Sequence, residues 1–139
     1  MNGKPTRATE ADRVSELLGL SEEVNDSASL TTQVAKGLPA ASVEKILEIM
    51  NSQPVLNLIP DRAFRRAKSE KLPLCPVKSQ ILNDFARAYV VADRIHHGNG
   101  AQVMRFLEQP NPDLGGVAPM ALAISSPAGA DPVIELLIG

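Results

Sequence analysis

Residues 110–120 read Pro110-Asn111-Pro112-Asp113-Leu114-Gly115-Gly116-Val117-Ala118-Pro119-Met120. Three prolines and two adjacent glycines in eleven residues can continue neither a helix nor a central strand. Yet Leu114, Val117 and Met120 are apolar, which a solvated linker does not need. The composition predicts a tight turn at Asn111-Pro112-Asp113. After it, the backbone at Gly115-Gly116 should use positive φ or a very close approach of another segment. Pro119 suits the first turn of a new helix, where its missing N–H is one the helix leaves unpaired anyway. Read alone, the stretch is a well-built connection between two helices.

Working outward, the longest helix is expected upstream, over 77–96. Ile81, Phe85, Ala88, Ala92 and Ile95 are spaced 4, 3, 4, 3 there, a wide apolar stripe that would make this helix the spine of the fold. His96-His97-Gly98-Asn99-Gly100 ends it. A short helix over 101–109, with Val103, Met104, Phe106 and Leu107, leads into the central stretch. Beyond it, a helix is expected over 119–125 and another over 133–138, the latter with Asp131 as cap and Pro132 in its first turn.

Toward the N-terminus, residues 1–9 are small and polar and expected to be disordered. Val14, Leu17 and Leu18 mark a short helix over 10–18 ended by Gly19, and the acidic, polar stretch 21–29 reads as a loop. One or two helical turns over 30–36 should be capped by Ser29 and stopped by Gly37. From Pro39 to about residue 51, Val43, Ile46, Leu47 and Met50 form an i, i+3, i+4, i+7 stripe. Asn51-Ser52-Gln53-Pro54 breaks that helix, a minimal apolar element follows over 55–58, and Ile59-Pro60-Asp61 turns into a basic helix over 62–70. Strict apolar–polar alternation, the mark of a strand, is absent. Three helices with a minimal middle one and a basic last one have the shape of a helix-turn-helix, though a basic exposed helix is also what an ordinary solvated face looks like. Phe64 and Ala67 should face the core while Arg62, Arg65, Arg66 and Lys68 project outward. Leu72-Pro73-Leu74-Cys75-Pro76 is a stiff extended connector.

The 139 residues suffice for one ordinary domain or two small ones sharing a core. Apolar residues make up 44% but aromatics only 3%, so the core is expected to be aliphatic and one Tyr and three Phe argue against a base-stacking platform for single strands. Net charge is −2, but residues 60–97 carry eight basic side chains against four acidic ones, a local +4 that leaves −6 elsewhere. Local charge is what a phosphate backbone meets within a Debye length of about 10 Å at 0.1 M salt. The lone Cys75 excludes an internal disulfide or a cysteine-based metal site and reads as a small buried or half-buried side chain. No secretory h-region and no apolar run near 18 residues is present, so no membrane contact and a soluble cytoplasmic location are expected.

No catalytic constellation stands out, and the chain reads as a non-enzyme. Ser79, Ser125 and Ser126 have His96 and His97 as conceivable partners, but no strained nucleophile turn accompanies them. Gly98-Asn99-Gly100 follows a helix rather than a strand, which excludes a dinucleotide loop. Adjacent histidines point about 100° apart on a helix and cannot chelate one metal together; they suit a helix C-terminus. No cofactor and no metal is expected.

The stretch Phe106-Leu107, then Pro110-Asn111-Pro112-Asp113-Leu114-Gly115-Gly116, then Pro119-Met120 resembles the signature of the Xre/MbcA/ParS antitoxins. In that family Trp-Leu leads into Pro-Asn-x-x-Leu-Gly-Gly-x-x-Pro-Leu. The similarity extends back over Ile59-Pro60 and Phe64-x-Arg66 and forward to the last residue, about three quarters of the chain. Phe106 stands where the family has Trp, Ala118 where it has a Thr or Ser cap, and the chain stops at Gly139 with little or no tail. The resemblance implies an all-α fold: a helix-turn-helix portion joined by a long helix to a compact bundle of short helices. It implies a flexible or short-helix segment over 1–29, a DNA-binding portion over 30–76 and a toxin-binding domain over 77–139. It also implies the antitoxin of a type II toxin–antitoxin pair whose partner is a RES-domain, NAD-consuming toxin. The antitoxin occludes the toxin's active site and represses its own operon.

On that basis Arg62, Arg65, Arg66, Lys68 and Lys71 are expected to meet duplex DNA, in a homodimer that spans paired half-sites. Leu114, Gly115, Gly116, Pro119, Met120, Ile134, Ile138 and Gly139 are expected to serve toxin binding. For the last helix the residues themselves add an argument. Val133, Leu136 and Leu137 can pack inward, which leaves Ile134 and Ile138 on the other side at the very end, where the chain can least cover them. The alternative is a helix-turn-helix regulator whose C-terminal half only dimerises.

Overall fold

The computed structural model describes residues 10–20, 26–49, 61–126 and 128–138. Every named element among them is helical: α1 (Glu10–Leu17), α2 (Ser27–Lys36), α3 (Ala40–Ile49), α4 (Asp61–Glu70), α5 (Pro76–Ile95), α6 (Gly100–Glu108), a 3-10 turn (Pro112–Leu114), α7 (Pro119–Ala123) and α8 (Ala130–Ile138). The fold is all-α. The expected disorder over 1–9, the short element over 55–58, Met50 and Gly139 lie outside the described residues.

The spine α5 carries the packing. Along its length it packs against α1 and α2 from the N-terminal part and α7 and α8 from the C-terminal part. Phe85, Leu82, Ala86, Ala88 and Ala92 are fully buried along it. Val14, Leu18, Leu38 and Ile46 from the N-terminal helices and their turns join Leu107 and Val133 from the C-terminal helices in one apolar cluster around it. Past Ala92 the spine emerges from that cluster, so Ile95, expected in the stripe, is 38% exposed.

Two buried hydroxyls tie the N-terminal helices to each other and to the spine. Ser42 donates through Oγ to the Leu18 carbonyl at 2.7 Å. Ser79 Oγ accepts from the Leu38 N–H at 2.8 Å. The connector before α5 lies against the same turn, the Leu74 N–H donating to the Leu38 carbonyl at 2.8 Å. That close approach explains Gly37: its φ is +105°, and a Cβ there would collide with the Leu74 carbonyl.

Three local expectations are corrected. α2 begins at Ser27 and is capped by Asp26, not Ser29. Asp26 Oδ1 accepts from the Ser29 N–H at 2.7 Å, and Ser29 sits at the third helical position, its Oγ accepting from the Asp26 N–H. A Ser in the place where a capping box usually has Glu or Gln hid the helix start. Asp131 lies within the first turn of α8 rather than before it, because the helix opens at Ala130. Cys75 is exposed rather than buried: along the extended connector Leu74 turns inward, so its neighbour turns out.

Candidate functional site

The central motif folds back on itself. The Asn111 side chain accepts from the Asp113 N–H at 2.9 Å and opens the 3-10 turn that Pro112 favours. The Gly116 N–H donates to the Asn111 carbonyl at 2.9 Å, and the Asn111 N–H donates to the Val117 carbonyl at 3.1 Å. This closure needs left-handed backbone at two successive positions, and Gly115 and Gly116 supply it with φ of +70° and +82°. Nothing lies within 4 Å of where their Cβ atoms would be. Of positive φ and close approach, the two backbone reasons expected for these glycines, the first is present and the second is not.

The motif then enters α7 at Pro119. Ala118 occupies the cap position and has no side-chain bond to offer, so α7 starts uncapped. Pro119 and Met120 are buried in the chain's own core and present a partner no surface. Leu114 is half-buried and the 3-10 turn touches α8. Along α8, Ala130 and Val133 are fully buried, Ile134 is half-buried and Ile138 is 63% exposed. The expected toxin-facing set thus divides. Gly115, Gly116 and Ile138 are on the surface, Leu114 and Ile134 are at its margin, and Pro119 and Met120 hold the motif from beneath.

The basic helix α4 rests mainly on α3. Ala67 is buried and Phe64 half-buried, and Arg62, Arg65, Arg66, Lys68 and Lys71 are all exposed. They do not form one patch. Lys68 Nζ turns to α3 and pairs with Glu44 at 2.8 Å, and with Lys71 it borders a shallow cleft between α3 and α4. Arg62 and Arg66 border a second groove, of about 540 Å³, between α4 and the start of α5. Arg66 also pairs with Glu70 at 2.9 Å, an exposed i, i+4 contact worth only a few tenths of a kcal/mol. Residues 50–60, which would complete a helix-turn-helix, lie outside the described residues.

That second groove was not expected. Its floor is apolar, with Ala67, Leu72 and Leu74, and its rim carries Arg62, Arg66 and Lys78, with Cys75 at its edge. The amide N–H groups of Lys78 and Val77, at the N-terminus of α5, face the Cys75 sulfur and hold the thiol below its usual range. The signal in the sequence was the apolar connector directly after a basic helix; a linker there had no need of Leu72 and Leu74.

One polar pair is buried in the spine. Asp84 accepts from Gln80 Nε2 at 2.9 Å and has Arg87 at 3.6 Å, and burial pushes its carboxyl above the usual carboxylate range. Beside it, Asn83 Oδ1 is buried without a hydrogen-bond partner. Neither group belongs to a nucleophile–base arrangement: Ser79 is engaged by the Leu38 backbone, and the His96 ring stacks obliquely on Phe106 at 6.2 Å. Among the described residues no group of three His, Cys, Asp or Glu could hold a metal ion, and no helix is long and apolar enough to cross a membrane. No family model and no curated protein sequence matches this chain.

Proposed function

We propose that this chain is the antitoxin of a type II toxin–antitoxin pair, inhibiting a RES-type, NAD-consuming toxin and binding its own operator. The observation that supports the reading is the join between the motif and α8. The Pro-Asn-x-x-Leu-Gly-Gly stretch forms a closed loop against a final helix bearing Ile138, the most exposed large apolar side chain among the described residues. An apolar group held out on an anchored helix is what an inhibitory contact needs. The chemistry would be the toxin's, and this chain would bring no cofactor of its own. In the helix-turn-helix part of the proposal, α4 offers Arg62, Arg65 and Arg66 on its outward side for phosphate contacts.

Co-expression with the product of the neighbouring gene, followed by affinity purification, tests the pairing. The expected result is a stable complex in which toxin activity is silent. Promoter DNA supplies the second arm, and Arg66→Ala should flatten the salt dependence of binding by about one phosphate contact. No complex with the neighbouring product, together with a salt-dependent promoter shift, would replace the antitoxin reading by the plain regulator.

A further inference from the structure

Two surfaces of this chain complement each other. On α8, Asp131, Ile134, Glu135 and Ile138 stand at i, i+3, i+4 and i+7, one face that alternates carboxylates with isoleucines. Asp131, Glu135 and Ile138 are exposed and Ile134 is half-buried, and neither carboxylate pairs with a cation among the described residues. The last turn of α8 carries no basic residue. The α4–α5 groove has an apolar floor and a cationic rim. Neither Arg62 nor Lys78 on that rim pairs with a carboxylate among the described residues. Leu72 in its floor is 42% exposed.

We infer that the α8 face of one copy docks in the α4–α5 groove of a second copy, Ile138 entering the apolar floor and Glu135 meeting Arg62 and Lys78 on the rim. The mode is an amphipathic helix laid in an apolar groove. A groove of about 540 Å³ lies within the ~300–1,000 Å³ that ligand clefts span. A phosphate backbone would satisfy the rim but gain nothing from the floor, whereas α8 satisfies both. The two surfaces differ, so the contact either closes as a reciprocal pair or a ring or runs on head to tail as an open chain of copies. This inference is independent of the toxin reading, since it rests only on the two surfaces. It does have a consequence for that reading: a toxin and a second copy would compete for α8, and DNA and α8 would compete for Arg62 and Arg66.

The test uses the full chain alone, without toxin or DNA. Its mass is followed by sedimentation from about 1 to 200 μM, with circular dichroism to verify that each variant is folded. The wild type should self-associate, and salt should weaken the association. Glu135→Arg and the pair Arg62→Glu with Lys78→Glu should each raise the dissociation constant at least about tenfold. The two variants mixed should form a complex, because one keeps an intact groove and the other an intact α8. The chain carrying all three reversals should self-associate again. A wild type monomeric throughout overturns the inference. So does association that the single-surface variants leave unchanged, or a failure of both the mixture and the triple variant to recover it.

Discussion

α4 and α8 are helices of nearly equal length with opposite charge, and they are held in different ways. α4 buries Ala67 and half of Phe64 and leans mainly on α3. α8 buries Ala130 and Val133 completely and is braced by the spine, by α7 and by the 3-10 turn of the motif. A surface carried on α8 is therefore preorganised, and one carried on α4 belongs to the part of the molecule with less apolar anchoring. A rigid apolar presentation suits tight inhibition. Phosphate contacts depend on charge and tolerate a less firmly held helix.

The largest test of that contrast strikes what the two regions share. Phe85→Ala removes the biggest fully buried side chain among the described residues, a member of the shared cluster, and should cost about 3–5 kcal/mol. Denaturant unfolding of this variant should lower the midpoint for probes placed in either region. A loss confined to one of them would mean two cores instead of one.

Next in size, Gly115→Ala with Gly116→Ala should cost roughly 1–2 kcal/mol per position, because each puts a Cβ on left-handed backbone. Hydrogen exchange should quicken around the motif and α8 while α4 is unchanged. A variant as stable as the wild type would remove the backbone role of these glycines.

How far the sequence led can be judged from the same residues. The spine, the motif's turn and the all-α class were legible because helical spacing and Pro/Gly punctuation are local signals. The exposure of Ile95 and Cys75 was less so. It depends on where a neighbouring helix stops, which spacing along one element cannot reveal. The division of the α4 cations was hidden for the same reason: Glu44, which draws Lys68 aside, is 24 residues away. The α4–α5 groove exists only once the connector folds against Leu38.

A smaller effect of opposite sign is expected at the entrance to α7. Ala118→Ser supplies the missing cap and should raise stability by about 1 kcal/mol, raising the melting temperature. No gain would mean that the backbone entering Pro119 prevents the hydroxyl from reaching its amide.

The smallest effect is pH-dependent. Burial raises the folded-state pKa of Asp84 above its ordinary 3.8, so the native state holds that proton more tightly than the unfolded chain. Its contribution is most favourable below the unfolded value and is lost as pH rises through the folded one. Asp84→Asn should then match the wild type near pH 3.5 and exceed it in melting temperature at pH 7. A variant less stable than wild type at pH 7 would show that Gln80 and Arg87 outweigh the burial.

The measurement closest to the central proposal is NAD consumption by the product of the neighbouring gene, mixed with equimolar protein. Wild type should suppress it. Ile138→Asp alters a side chain that is 63% exposed, so it should leave stability within about 0.5 kcal/mol of wild type and let NAD loss return. Full suppression by a folded Ile138→Asp variant, or none by the wild type, would contradict the proposal.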